Sequence, residues 1–248
     1  QPNHSRSWMG DRQPVKSLSA SKITLIQMSR MSATNEKEHI DAFTQLASAT
    51  DEFERYRSQH AVRIAKIADE IAQRFLLAGR DRKSLGAAAL LHDLGEAAME
   101  RDYIARAGEL SDEERVDLAR HPVIGEQEAA RVGADRATNL LVRWHHEWWN
   151  GSGYPDGLRG EEIPLAGRIL RLADSYASLT ATRPFRAAFS ESTARQKIIE
   201  RAGIEFDPRV VHTFLQLALP PHVEGAEGNS ESENKQFEGQ ELFSSFMK

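Results

Sequence analysis

Residues 84–94 read Ser84-Leu85-Gly86-Ala87-Ala88-Ala89-Leu90-Leu91-His92-Asp93-Leu94. They set two side chains able to bind a metal at the end of an almost wholly apolar run. Ala and Leu favour helix, and a run without a polar face suits a helix buried on all sides. An adjacent His and Asp inside such a helix are costly unless a partner satisfies them. The segments on either side follow the same logic. Upstream, Val62, Ile64, Ile67, Ile71 and Phe75 recur at helical spacing, with Lys66, Asp69 and Arg74 between them. Gly79 is expected to cap that helix at its C-terminus.

Downstream, Ser111 and Glu114 fit a capping box that opens a helix running toward His121. Further helices are expected over 136–149, 163–182, 191–201 and 208–219. Residues 150–160, with four Gly and one Pro, form a loop. No strand alternation is visible, so the expected class is all-α, a helical bundle. The expected division is a flexible N-terminal segment over 1–34, a helical domain over 35–219 and a disordered acidic tail over 220–248.

Composition limits the chemistry. The 248 residues contain nine His and no Cys, with 32 Lys plus Arg against 37 Asp plus Glu, a net charge of −5. Disulfides, thiolate metal sites and cysteine nucleophiles are excluded. Binding to duplex nucleic acid through basic patches alone is not expected. No signal peptide or membrane-length apolar run is visible, so no membrane insertion is expected and the expected location is cytoplasmic. Any metal must be held by imidazole and carboxylate, which suits zinc, iron or manganese.

Five of the nine His and two Asp form an ordered set: His60, His92-Asp93, His121, His145-His146 and Asp174. The gaps are roughly 24 to 32 residues, about one helix with its connection. Each group can therefore come from a different helix and point into one cavity. An Asp can bridge two ions, and two ions can hold both a nucleophile and a phosphoryl oxygen. His145 and His146 diverge by about 100° on a helix and converge most readily at a helix end. His4 and His39 lie before the helical core, His212 and His222 lack acidic or His neighbours of this kind, and all four are assigned no ligand role.

Four motifs extend this set: Leu91-His92-Asp93-Leu94-Gly95, His121-Pro122 with Gly125, His145-His146-Glu147 leading to Gly151, Gly153, Tyr154 and Pro155, and Arg183-Pro184-Phe185-Arg186. Their order and spacing resemble the HD-GYP family of metal-dependent phosphohydrolases over about residues 51–219. The resemblance implies an HD-type helical bundle with a central His/Asp metal site. It also implies hydrolysis of cyclic di-GMP to pGpG or GMP by a metal-bridging hydroxide. His60, His92, Asp93 and Asp174 would hold one divalent ion and His121, His145 and His146 the second, with Asp93 between them. Iron or manganese is the expected metal, with zinc, nickel and magnesium as alternatives.

Gly153 and Tyr154 would shape the substrate mouth, Gly151 and Gly153 by adopting backbone angles closed to other residues. Arg183 and Arg186, three apart on a helix face or its end, would clamp phosphate. The expected partner is cyclic di-GMP or a related cyclic dinucleotide, with a second copy or a signalling protein as macromolecular partner. Three positions depart from the pattern. Glu96 stands where the family usually has Lys, which places it among the candidate catalytic residues and also allows it to be a further ligand. Tyr56 stands where some members carry a metal-binding Glu, and Ala177 where a second Asp is common. Glu96 leaves open a receptor with weakened turnover, or a phosphohydrolase of another cyclic dinucleotide.

Overall fold

A computed structural model describes residues 36–219 except 57, 105, 107, 184 and 185. The expectations for 1–34 and 220–248 lie outside the described residues. Among the described residues ten α-helices follow in order: α1 (Glu36–Phe53), α2 (His60–Arg74), α3 (Gly79–Leu91), α4 (Leu94–Met99), α5 (Asp112–Leu118), α6 (His121–Arg131), α7 (Arg136–Trp144), α8 (Leu165–Leu179), α9 (Glu191–Glu200) and α10 (Pro208–Leu215). Among the described residues there is no strand, only two isolated bridges, so the all-α expectation holds. No described helix is long and apolar enough to cross a membrane.

The periodic stretch after His60 forms α2, and its apolar face is buried: Ile64 and Ile71 are fully enclosed. They join Leu85 and Leu91 of α3, Leu170 and Leu172 of α8 and Phe214 of α10 in one core. Burying each such side chain contributes about 1.5–3 kcal/mol before the entropy of ordering is counted. Helices α2, α3 and α8 pack side by side at the centre, and α4, α6 and α7 form a second group against them.

Three details differ from the sequence reading. Gly79 opens α3 instead of closing α2; the turn-reversing left-handed residue is Leu76, at φ 53°. The helix expected to run toward His121 is two, α5 and α6, separated at Ala119–Arg120. Finally, the run 84–94 does not stay helical. It breaks at His92-Asp93, which places His92 at the C-cap of α3 and Asp93 at the N-cap of α4.

That break is fixed by close packing of α4 on α6. A Cβ on Gly95 would lie 2.0 Å from the His121 carbonyl oxygen and 2.7 Å from the Gly125 nitrogen. Both obstacles are backbone, so they cannot rotate away. Gly95→Ala should therefore destabilise the domain by about 3 kcal/mol, seen as a lowered thermal midpoint. A midpoint equal to that of the parent would rule out this contact.

Candidate metal centre

The residues singled out from sequence converge from five places. His60 starts α2, His92 and Asp93 occupy the α3–α4 junction, His121 starts α6, His145 and His146 follow α7, and Asp174 lies within α8. His145 is the C-cap of α7, so the adjacent imidazoles do lie at a helix end, with ring centroids 4.1 Å apart. Two groups form whose ligand atoms lie within 4.8 Å of one another: Asp93 with His121, His145 and His146, and His60 with His92 and Asp174.

Asp93 lies between the groups. Its Oδ2 is 2.8 Å from His92 Nε2, and its Oδ1 is 3.4 Å from His121 Nε2 and 3.6 Å from His145 Nε2. Asp174 Oδ1 is 4.0 Å from Nε2 of both His60 and His92. Three rings are held through their other nitrogen. Nδ1 of His92, His121 and His145 each donates to the carbonyl three residues earlier, at 3.0, 2.8 and 2.6 Å. A carbonyl can only accept, so Nδ1 carries a proton and Nε2 faces the centre. His146 is arranged differently. Its Nδ1 accepts from Arg171 Nη1 at 3.1 Å.

The residues fit a cation on two further observations. His60 Nδ1 is buried without a hydrogen-bond partner, which is costly unless another species meets it. The protonation states also suit ligation. Burial pushes His60 and His146 well below the usual imidazole pKa, and lowers His121 to about 4. Neutral imidazole is the ligating form. Burial disfavours the charge on Asp93 as well, but His92, His145 and His121 outweigh it and hold the carboxyl well below the usual range. Burial also opposes charge on His92. There Asp93, followed by Asp174 and Glu54, prevails and raises its pKa to about 10, so His92, unlike the other three, must give up its Nε2 proton before it can ligate.

The remaining candidates surround this cluster. The Tyr154 ring stacks on His146 at 4.8 Å between centroids and meets His121 edge-on at 6.5 Å. Gly151 has φ +84°, as expected of a glycine-only position, but Gly153 does not owe its place to a positive φ. Its role is close approach: a Cβ there would lie 2.2 Å from the Trp148 nitrogen and 2.5 Å from the His146 oxygen. Gly153→Ala should push the loop off the His146 turn and lower the thermal midpoint. An unchanged midpoint would contradict this geometry.

Arg183 and Arg186 are not on a helix. They pair across a tight turn, Arg183 N to Arg186 O at 2.8 Å and the reverse bond at 3.1 Å, after α8 has ended. Their guanidinium groups have different partners. The Arg183 guanidinium lies 3.9 Å over Tyr56, whose own ring stacks on His60 at 3.7 Å. Arg186 donates to the Ser178 and Leu179 carbonyls at 2.7 and 3.1 Å, at the C-terminal end of α8. Glu96 lies outside both ligand groups. Its Oε1 is 3.9 Å from His121 Nδ1, and burial together with Asp93 raises its pKa well above the usual value.

Several contributors were not singled out in the sequence. Buried Glu54 lies 3.5 Å from Arg183. Glu147, part of a quoted motif but given no role, accepts the backbone N–H groups of Asp156, Gly157 and Leu158 at 2.6, 3.1 and 2.9 Å and so shapes the loop. Arg171 reaches Asp174 Oδ2 at 3.0 Å and pairs with Glu205 as well as His146. Only Glu147, beside the His pair, carried a signal in its position.

Comparison with known proteins places this arrangement. A family model described as "HD domain" matches residues 28–210. The chain belongs to the HD domain family. It is 40% identical over 134 residues to a Vibrio cholerae protein named cyclic di-GMP phosphodiesterase, covering 51% of this chain and 27% of that protein. It is 31% identical over 214 residues to the Xanthomonas campestris cyclic di-GMP phosphodiesterase response regulator RpfG, covering 83% and 55%. The chain thus spans about half the length of these relatives or less.

Two solved structures share the fold. One is a V. cholerae cyclic GMP-AMP phosphodiesterase, with a TM-score of 0.57 and 23% identity over 71% of this chain and 48% of that one. The other is an "HDG'Y'P" protein of Bdellovibrio bacteriovorus, with a TM-score of 0.54 and 18% identity over 82% and 73%. The resemblance to the HD-GYP branch stands on these relatives, and the HD domain with its His/Asp cluster indicates a divalent-metal site.

Proposed function

We propose that this HD domain is a metal-dependent phosphodiesterase that opens a cyclic dinucleotide, cyclic di-GMP in the first instance, to linear pGpG, with GMP as a further product. The observation that carries the reading is the meeting of seven His and Asp side chains in two adjoining groups, with Asp93 between them. Two divalent ions, iron or manganese by preference, would be held by His60, His92, Asp93 and Asp174 on one side and by Asp93, His121, His145 and His146 on the other. When bound, they supply positive charge to the phosphoryl oxygens and lower the pKa of water.

The rest of the site binds and orients. Arg183, stacked on Tyr56, presents a guanidinium beside the centre, and Arg186 offers another at the end of α8. Tyr154 closes one wall against His146. The test is anaerobic loading with Fe(II) or Mn(II), metal analysis and chromatography of the products. Two ions per chain and release of pGpG are expected; no turnover with either metal overturns the reading.

The carboxylates of Glu54, Asp93 and Glu96, which all act on Arg183, favour a second reading, a receptor that binds without cleaving. It predicts saturable binding of cyclic di-GMP with no product, and a gain in affinity or rate for Glu96→Lys. No gain in either counts against it.

A further inference from the structure

A cavity of about 620 Å³ opens beside the candidate metal centre, a size typical of small-ligand sites. It starts at His146 and Asp174 and runs along α8 to α9. Its floor carries cations of two kinds. Arg171 and Arg201 are neutralised: Arg171 by Asp174 and Glu205, Arg201 by Glu205. Arg186 and Lys197 have no carboxylate within ion-pair distance among the described residues. Arg186 donates to carbonyl groups instead, which leave its net charge uncancelled.

These two cations are also held together. Phe189 takes the Arg186 guanidinium at 4.7 Å and the Lys197 ammonium at 4.9 Å from one ring centroid. A shared aromatic platform orients both at modest energetic gain. Two adjacent, uncompensated cations on the wall of a partly enclosed cavity focus a positive potential there. Near them Glu200 also lines the cavity. It accepts from Gln196 Nε2 at 3.1 Å and retains further acceptor capacity.

A cyclic dinucleotide has two phosphodiesters, and only one can lie at the metal centre at a time. We infer that this cavity is the subsite for the other half of the substrate. The phosphodiester that is not being cleaved faces Lys197 and Arg186, and its guanine faces Glu200. A carboxylate matches the adjacent N1–H and N2–H donors of guanine, whereas adenine offers no such pair on that edge. Glu200 would therefore select guanine in this half. The inference rests on the phosphodiesterase reading for its choice of ligand.

The test compares the full chain with Lys197→Ala, Lys197→Arg and Glu200→Gln. Each protein is assayed on cyclic di-GMP and on bis(p-nitrophenyl) phosphate, a diester with one phosphate and no base. Binding of cyclic di-GMP and cyclic di-AMP is measured by calorimetry. For Lys197→Ala, KM and Kd for cyclic di-GMP should rise about tenfold with kcat less affected. Its kcat/KM should fall at least about fivefold more on the dinucleotide than on the small diester. Lys197→Arg should recover most of the affinity. Glu200→Gln should narrow the preference for cyclic di-GMP over cyclic di-AMP by about fivefold or more.

Equal losses on the two substrates, or an unchanged Kd for Lys197→Ala, would overturn the subsite. If the parent protein cleaves neither substrate, the phosphodiesterase reading falls, and the Kd comparison still decides whether the subsite exists.

Discussion

The Asp93→Asn variant is expected to hydrolyse cyclic di-GMP on the order of 10³-fold more slowly than the parent chain. Asp93 is the one side chain whose two oxygens face both ligand groups, Oδ2 toward His92 and Oδ1 toward His121 and His145. Its carboxyl stays ionised because these imidazoles outweigh its burial. Asn keeps the shape but removes the charge and turns an N–H₂ donor toward ring nitrogens that need their lone pairs. Metal content should fall with the rate, so both are measured on the same sample. A rate within about tenfold of the parent at full metal loading would show that Asp93 does not hold the centre together.

The second large effect is expected at Arg171. Arg171→Leu should cost about 3 kcal/mol in the metal-free protein, or about 6–12 °C in thermal midpoint for a domain of this size. The guanidinium is enclosed and links three groups: Asp174, His146 and Glu205. Leucine fills the volume but leaves buried Glu205 and Asp174 with one cation fewer. The Glu205 carboxylate would then rely on Arg201 and on the Ser175 hydroxyl at 3.3 Å. Converting Glu205 to Leu as well should recover at least half of the loss, because the buried charge is removed with its partner. A midpoint within about 2 °C of the parent would show that the pair contributes little. Metal retention should also fall, since the variant no longer orients His146 and Asp174, which belong to different ligand groups.

The His/Asp cluster is legible because its members are rare residue types at helix-length intervals in apolar surroundings. The His92-Asp93 pair could be recognised in this way, but its helix break could not. Neither Gly nor Pro immediately precedes it, and the break depends on Gly95 meeting the His121 backbone 26 residues later. Gly79 misled because a glycine after an amphipathic run usually closes the helix; here Leu76 adopts the left-handed conformation first. Spacing alone puts Arg183 and Arg186 on a helix face or its end, whereas α8 ends at Leu179 and the chain turns.

Arg171 was invisible for a different reason. In sequence it is one polar position on an amphipathic helix, and its partner Glu205 lies 34 residues away. Only the packing of α8 against the segment before α10 brings them together.

The three imidazoles tied to carbonyls three residues upstream have a consequence for how an ion is received. In a flexible chain, an arriving cation must arrest each ring and select its tautomer, and that lost freedom weakens binding. Here the helix ends next to His92, His121 and His145 make both choices during folding. The rings are preorganised, so the entropy of ordering them is charged to the folded state and not to the ion. Stiffness also brings selectivity: ligand directions set by backbone carbonyls favour ions whose coordination sphere suits them and penalise ions that would need the rings to turn.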